Sequence, residues 1–139
     1  MRKPIILGLI NPHPTEDLFI RPLGCSGHRL AMLLGNEDLY LVTFDRRNLL
    51  TSVEDNPYEA AARFKSSLQE GDQVVLLGEA VRRSLDLPKM LIHPLTVDGI
   101  TYRQIPHPSG RNRFYNDPAL KFLVGDMLRS LAGDSNAGA

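Results

Sequence analysis

The run Pro4-Ile5-Ile6-Leu7-Gly8-Leu9-Ile10 constrains the fold more than any other stretch of the chain. A strand with one wet face alternates apolar and polar residues. This run does not alternate, so it predicts a strand buried on both faces of a parallel sheet. It stops abruptly at Asn11-Pro12-His13-Pro14, where two prolines bracketing a histidine make a stiff loop. In open α/β sheets ligands sit beyond the carboxyl ends of the strands, so this loop is the first candidate for a site.

The remaining pattern repeats strand and helix signals. Ser26 is expected to cap a helix from Gly27 to Leu34 that Gly35 closes. Leu39–Thr43 reads as the second strand, followed by a polar loop over 44–50. Asn56-Pro57 opens the next helix, to about Leu68, with asparagine at the cap and proline in the first turn. Gln73–Leu77 reads as the third strand, followed by Gly78 and a short helix from Glu79 to Leu85. Asp98-Gly99 favours a type I′ turn, so a hairpin or irregular segment surrounds it, and its second arm, Ile100–Ile105, is the fourth core strand. Asn116-Asp117-Pro118 caps the last helix, whose stripe is Leu120, Leu123 or Val124, Met127 and Leu131. Together these predict a three-layer α/β/α sandwich around a mostly parallel four-stranded sheet, one domain over 1–132, with a frayed tail over 133–139. Four loops, 11–26, 44–50, 78–80 and 106–115, are expected along one edge.

Composition narrows the function classes. The formal net charge is zero, which argues against a general nucleic-acid coat but not against a local basic patch. From Thr101 to Arg113 there are three arginines and no acid. The single cysteine, Cys25, excludes an internal disulfide and a cysteine-ligated cluster within one chain. His13, His28 and His93 fall at no metal-ligand spacing, so no metal site is expected. Pro4–Ile10 is too short for a signal peptide or a membrane span, and a cytoplasmic monomer is expected.

One segment is too rich in chemistry for a plain connector. His107-Pro108-Ser109-Gly110-Arg111-Asn112-Arg113 carries an imidazole, two guanidiniums, a hydroxyl and an amide on a backbone stiffened by Pro108. Such a loop suits an anionic or heteroaromatic ligand, its plainer role being a solvated turn. Gly24-Cys25-Ser26-Gly27 adds small residues and free amides at a helix start, a favourable place for an anion. The Gly-Lys-Ser/Thr ending of a P-loop is missing.

These residues resemble the uracil-DNA glycosylase superfamily. Leu9-Ile10-Asn11-Pro12 is similar to its first motif, at the end of the first strand, and His107-Pro108-Ser109-Gly110 to its second, after the last core strand. The Gly-rich helix start and the Val74-Val75-Leu76-Leu77-Gly78 strand stand between them in the matching order. Asparagine at motif one is nearest the mismatch-specific branch, whereas His107 is nearest the main uracil branch. Two features depart from the pattern. The aromatic expected a dozen residues after motif one is replaced by Leu23-Gly24, Phe19 being the nearest ring. The asparagine expected at the end of the second strand is replaced by Thr43-Phe44, with Asn48 further on.

The resemblance implies hydrolysis of the N-glycosidic bond of uracil or a related modified base in DNA, without a cofactor. Asn11 would position water, since an amide cannot serve as a general base. His107 would donate a hydrogen bond to the departing base. Pro12, His13, Phe19, Phe44 and Asn48 are the nucleobase-side candidates. Ser26, Gly27, Arg46, Ser109, Gly110, Arg111, Asn112 and Arg113 are the candidates for the DNA backbone, single- or double-stranded, met through a local basic face. Two alternatives stay open: a non-catalytic nucleotide- or DNA-binding module on the same fold, and an enzyme of modified-base metabolism. Nucleophilic roles for Ser26, Cys25 or Ser109 rank below these, because no Gly-x-Ser-x-Gly elbow occurs.

Overall fold

The computed structural model describes residues 2–90, 93–109 and 112–133. The first apolar run forms β1 (Ile5–Ile10), whose first four residues are all buried. Its neighbours are β2 (Asp45–Leu50) on one side and β3 (Gln73–Leu77) on the other, both parallel to it. β5 (Ile100–Ile105) lies parallel to β3, and the short β4 (Leu95–Val97) closes the far edge antiparallel to β5. The order is β2-β1-β3-β5-β4, five strands among the described residues rather than the expected four. The additional strand is the first arm of the hairpin at Asp98-Gly99. Both turn residues have positive φ, 52° and 77°, as a type I′ turn requires.

Alternation along the strands divides the core between the two faces. Ile5, Leu7, Val74 and Leu76 pack against α3 (Pro57–Ser66) and α4 (Glu79–Ser84). Ile6, Val75, Leu77 and Ile105 pack against α1 (Ser26–Leu34), α2 (Glu37–Thr43) and α5 (Pro118–Leu131). A strand covered on both faces has no polar side to show, which accounts for the unbroken apolar run of β1. The protein is therefore a three-layer α/β/α sandwich with a mostly parallel central sheet.

The second strand is where the sequence misleads. Leu39–Thr43 is the body of helix α2. Asn36 caps it, accepting from the Leu39 N–H at 3.0 Å, and Glu37 and Asp38 occupy the first turn, where the helix dipole favours acids. The true strand is the polar segment that follows. As β2 it is the open edge of the sheet, where charged residues are tolerated and discourage further pairing. Asp45 and Arg47 pair there at 2.6 Å. The helix starts marked by a cap and a proline carry over. Asn56 and Asp117 cap α3 and α5, each with proline in the first turn, although α3 ends at Ser66. The inner stripe of α5 is Val124, Gly125, Met127 and Leu128, while Leu123 is 49% exposed. No helix among the described residues is long and apolar enough to cross a membrane. Beyond Gly133, the expected tail lies outside the described residues.

Candidate functional site at the carboxyl edge of the sheet

The direction in which connections step across the sheet reverses between β1 and β3. β1 continues leftward to β2, whereas β3 continues rightward to β5. Such a switch point parts the two loops that leave it and opens a crevice between them. A cavity of about 430 Å³ lies there, within the range of small-molecule sites. Its walls come from the end of β1 and the loop beyond it, the start of α1, the β3–α4 turn and the loop after β5. Asn11 and His107, from opposite ends of the chain, both line it.

Asn11 organises the first wall. Its side-chain carbonyl accepts from the His13 N–H at 2.9 Å, and its amide donates to the Thr15 carbonyl at 2.7 Å and to Asp17 Oδ1 at 3.3 Å. The other Asp17 oxygen accepts from the Asn48 N–H at 3.2 Å, which ties the loop to β2. An sp² oxygen has two lone pairs, so Asn11 Oδ1 retains one acceptor site.

The opposite wall is braced differently. The His107 carbonyl accepts from the Ser109 N–H at 2.8 Å and from Asn112 Nδ2 at 3.1 Å. Asn112 Oδ1 caps the 3-10 turn Arg113–Asn116, accepting from the Phe114 N–H at 3.0 Å. Buried Tyr115 donates its hydroxyl to the Pro106 carbonyl, and burial pushes its phenol pKa well up. The His107 imidazole makes no hydrogen bond among the described residues. It is more than a third exposed to solvent, yet its neighbours desolvate it enough to lower its pKa from 6.5, favouring the neutral ring.

Glycine shapes the cavity at two points. Gly78 has φ 91° and ψ 176°, a combination that side chains other than glycine's strongly resist, and a Cβ there would lie 3.3 Å from His107 Cβ. Gly8, mid-β1, faces Asn48 across the ladder, and a Cβ on it would sit 2.6 Å from Asn48 Oδ1. The Asn48 amide thus lies over bare backbone at the cavity wall. Its Nδ2 is buried and makes no hydrogen bond among the described residues.

The candidates named from sequence divide clearly. Asn11, Pro12, His13, Phe19, Ser26, Gly27, Asn48, His107 and Ser109 share the cavity. Asn48 reaches it from within a strand rather than from a loop. Ser26 is the first helical residue, not the cap: Cys25 Sγ accepts from the His28 N–H at 3.5 Å in that role. Phe44 is 3% exposed, packs beside Tyr40 in the core and does not line the cavity. Arg46 is not available to a phosphate. It reaches the Asp17 carbonyl at 3.3 Å and Glu16 at 3.5 Å, clamping the β1 loop to β2. Asn112 braces the loop with both ends of its amide. Arg113 is exposed at the 3-10 turn, and Gly110 and Arg111 lie outside the described residues. Arg103 faces the amino end of β3, donating to Gln73 at 2.6 Å, so the basic face is thinner than the arginine count implies. Gly8, Gly78, Asp17 and Glu79 were missed. Glu79 is the one carboxylate among the cavity-lining residues described, and Arg83 holds it at 3.0 Å. The His13 and Cys25 side chains do not gather with others into a metal cluster among the described residues.

This is an α/β sandwich with a cleft at its topological switch point. No known protein-family model matches the chain, and no curated protein matches it.

Proposed function

We propose that the cleft takes a nucleobase and that the protein is a DNA glycosylase-like hydrolase acting on uracil or a related modified base. The observation that carries this reading is the meeting of Asn11 and His107 on one cavity of suitable size. In the reaction the C1′–N bond breaks and the base leaves with its electron pair. Water bonds to C1′ and releases a proton to solvent. The remaining lone pair of Asn11 Oδ1 orients that water, a positioning contribution. His107, neutral and without a competing hydrogen bond, donates an N–H to the carbonyl oxygen on which charge develops. Asn48 offers an unmet amide donor that a base carbonyl satisfies once the amide turns toward the cleft. The α1 start adds the positive end of a helix dipole on the same wall.

A second reading, a binding module without hydrolysis, has one observation in its favour. The one carboxylate among the described lining residues, Glu79, is ion-paired and Asn11 is largely occupied in its own loop, so no carboxylate among those residues is free to take a proton from water. The two readings part on incubation with single- and double-stranded oligonucleotides carrying uracil, hypoxanthine or hydroxymethyluracil. The hydrolase produces alkali-labile sites on at least one of them. Salt-dependent binding with no abasic product on any substrate would decide for the binding module.

A further inference from the structure

A second cavity, of about 270 Å³, abuts the first, and Gly24, Pro108 and Ser109 line both. The wall between them is therefore a ridge that one ligand can straddle. Its chemistry differs from that of the first cavity. His28, Arg29 and Lys121 line it together with Met32, and no carboxylate does among the described residues. Elsewhere on the surface, Arg21, Arg46, Arg47 and Arg83 each face an acid. Arg29 and Lys121 have no such partner among the described residues. Arg29 Nε donates to the Gly24 carbonyl at 2.9 Å, which anchors the guanidinium at the ridge and leaves its terminal nitrogens for a ligand.

His28 is set as a donor even when uncharged. Its Nδ1 accepts from the Gly24 N–H at 3.0 Å, so the neutral ring carries its proton on Nε2. Beside these three donors stands Met32, 66% exposed, an apolar and polarizable surface of the kind that meets flat rings. Anion-binding donors on one side, an apolar platform on the other and a shared rim with a base-sized cleft fit a nucleotide attached to the base next door.

We propose that the second cavity is a subsite for the adjoining nucleotide of a nucleic-acid strand, with Arg29, Lys121 and His28 holding its phosphate and Met32 meeting its base. The inference rests on the nucleobase reading of the first cavity. It adds which residues hold the nucleotide beside that base.

The test uses the trinucleotide d(TUT), fluorinated at the 2′ carbon of the central nucleotide to slow cleavage, with affinity measured over a range of salt. Pairing Arg29→Ala with Lys121→Ala is expected to weaken binding about tenfold or more, since each removed cation made a charge-assisted contact. The salt slope should fall by about 0.7 for each cation removed. The charge-retaining pair Arg29→Lys with Lys121→Arg should keep the parent's salt slope, because the number of cations is unchanged. Parent-like binding by the alanine pair overturns the subsite and leaves the nucleobase reading standing. Loss in the alanine pair, combined with equal binding of a trinucleotide whose central nucleotide lacks its base, keeps the phosphate contacts of the subsite and removes the nucleobase reading. Failure of the parent to bind d(TUT) overturns both. Both residues are exposed, so the alanine pair should melt like the parent.

Discussion

In the loop that leaves β1, the functional candidate is also the fastener. Asn11 accepts from one backbone N–H and donates to a carbonyl and a carboxylate within six residues of itself. In the loop that leaves β5, other groups do the fastening: the Ser109 N–H and Asn112 amide hold the His107 carbonyl, and Tyr115 holds that of Pro106. The His107 side chain takes no part in that bracing. Two loops that wall one cavity thus combine rigidity and chemistry differently. In the first they reside in one side chain, and in the second they are separated.

The difference predicts opposite outcomes for the same substitution. His107→Ala should slow abasic-site formation by a factor of about 100 or more, the scale of losing one donor to a developing oxyanion. It should leave the melting temperature almost unchanged, since no hydrogen bond is lost with the ring. Asn11→Ala should instead cost about 1–3 kcal/mol of stability, because the His13 N–H, the Thr15 carbonyl and Asp17 all lose a partner. Thermal melts and single-turnover rates on the same two variants check both. If His107→Ala destabilised and Asn11→Ala did not, the contrast between the loops would be reversed.

Gly78→Ala sharpens the comparison by disturbing the β5 loop without altering the identity of its side chains. The methyl would meet His107 Cβ at 3.3 Å on a backbone that resists any Cβ. The expected cost is about 1–3 kcal/mol. Turnover should drop by less than in His107→Ala, because the imidazole is displaced rather than removed. A variant with parent stability and parent rate would show that the close approach of Gly78 to His107 does not position the ring.

Much of this was legible in the sequence, for identifiable reasons. Buried parallel strands and side-chain caps are local signals, so β1, β3, α3 and α5 could be read from runs of apolar residues and from Asn56-Pro57 and Asp117-Pro118. β2 could not, because an edge strand tolerates the charges that otherwise mark a loop, and the apolar run before it belongs to a helix with only Tyr40 buried. Placing Phe44 and Arg46 at the site followed from that misreading. Asn11 and His107 were legible because each ends a predicted strand. The wall-forming roles of Gly8 and Gly78 were not, since they depend on which strands become neighbours.

The smallest effect concerns charge. Desolvation lowers the His107 pKa in the fold, so the native protein binds this proton less readily than the unfolded chain does. Where both states hold the ring neutral, above the ordinary value of 6.5, His107 contributes nothing to the pH dependence. As pH falls through 6.5 the unfolded chain protonates first, and native stability declines until the lowered folded value is passed. His107→Gln removes the titrating group, so the parent's melting temperature should drop more on acidification through this window than the variant's. The gap should be small, because the ring is substantially exposed and solvent screens it. Turnover should follow the same neutral form, rising through this window and staying level above it, if the neutral ring is the donor. A rate that instead rose on acidification would mean that the imidazolium stabilises the leaving base, and the β5 loop would then supply charge as well as a hydrogen bond.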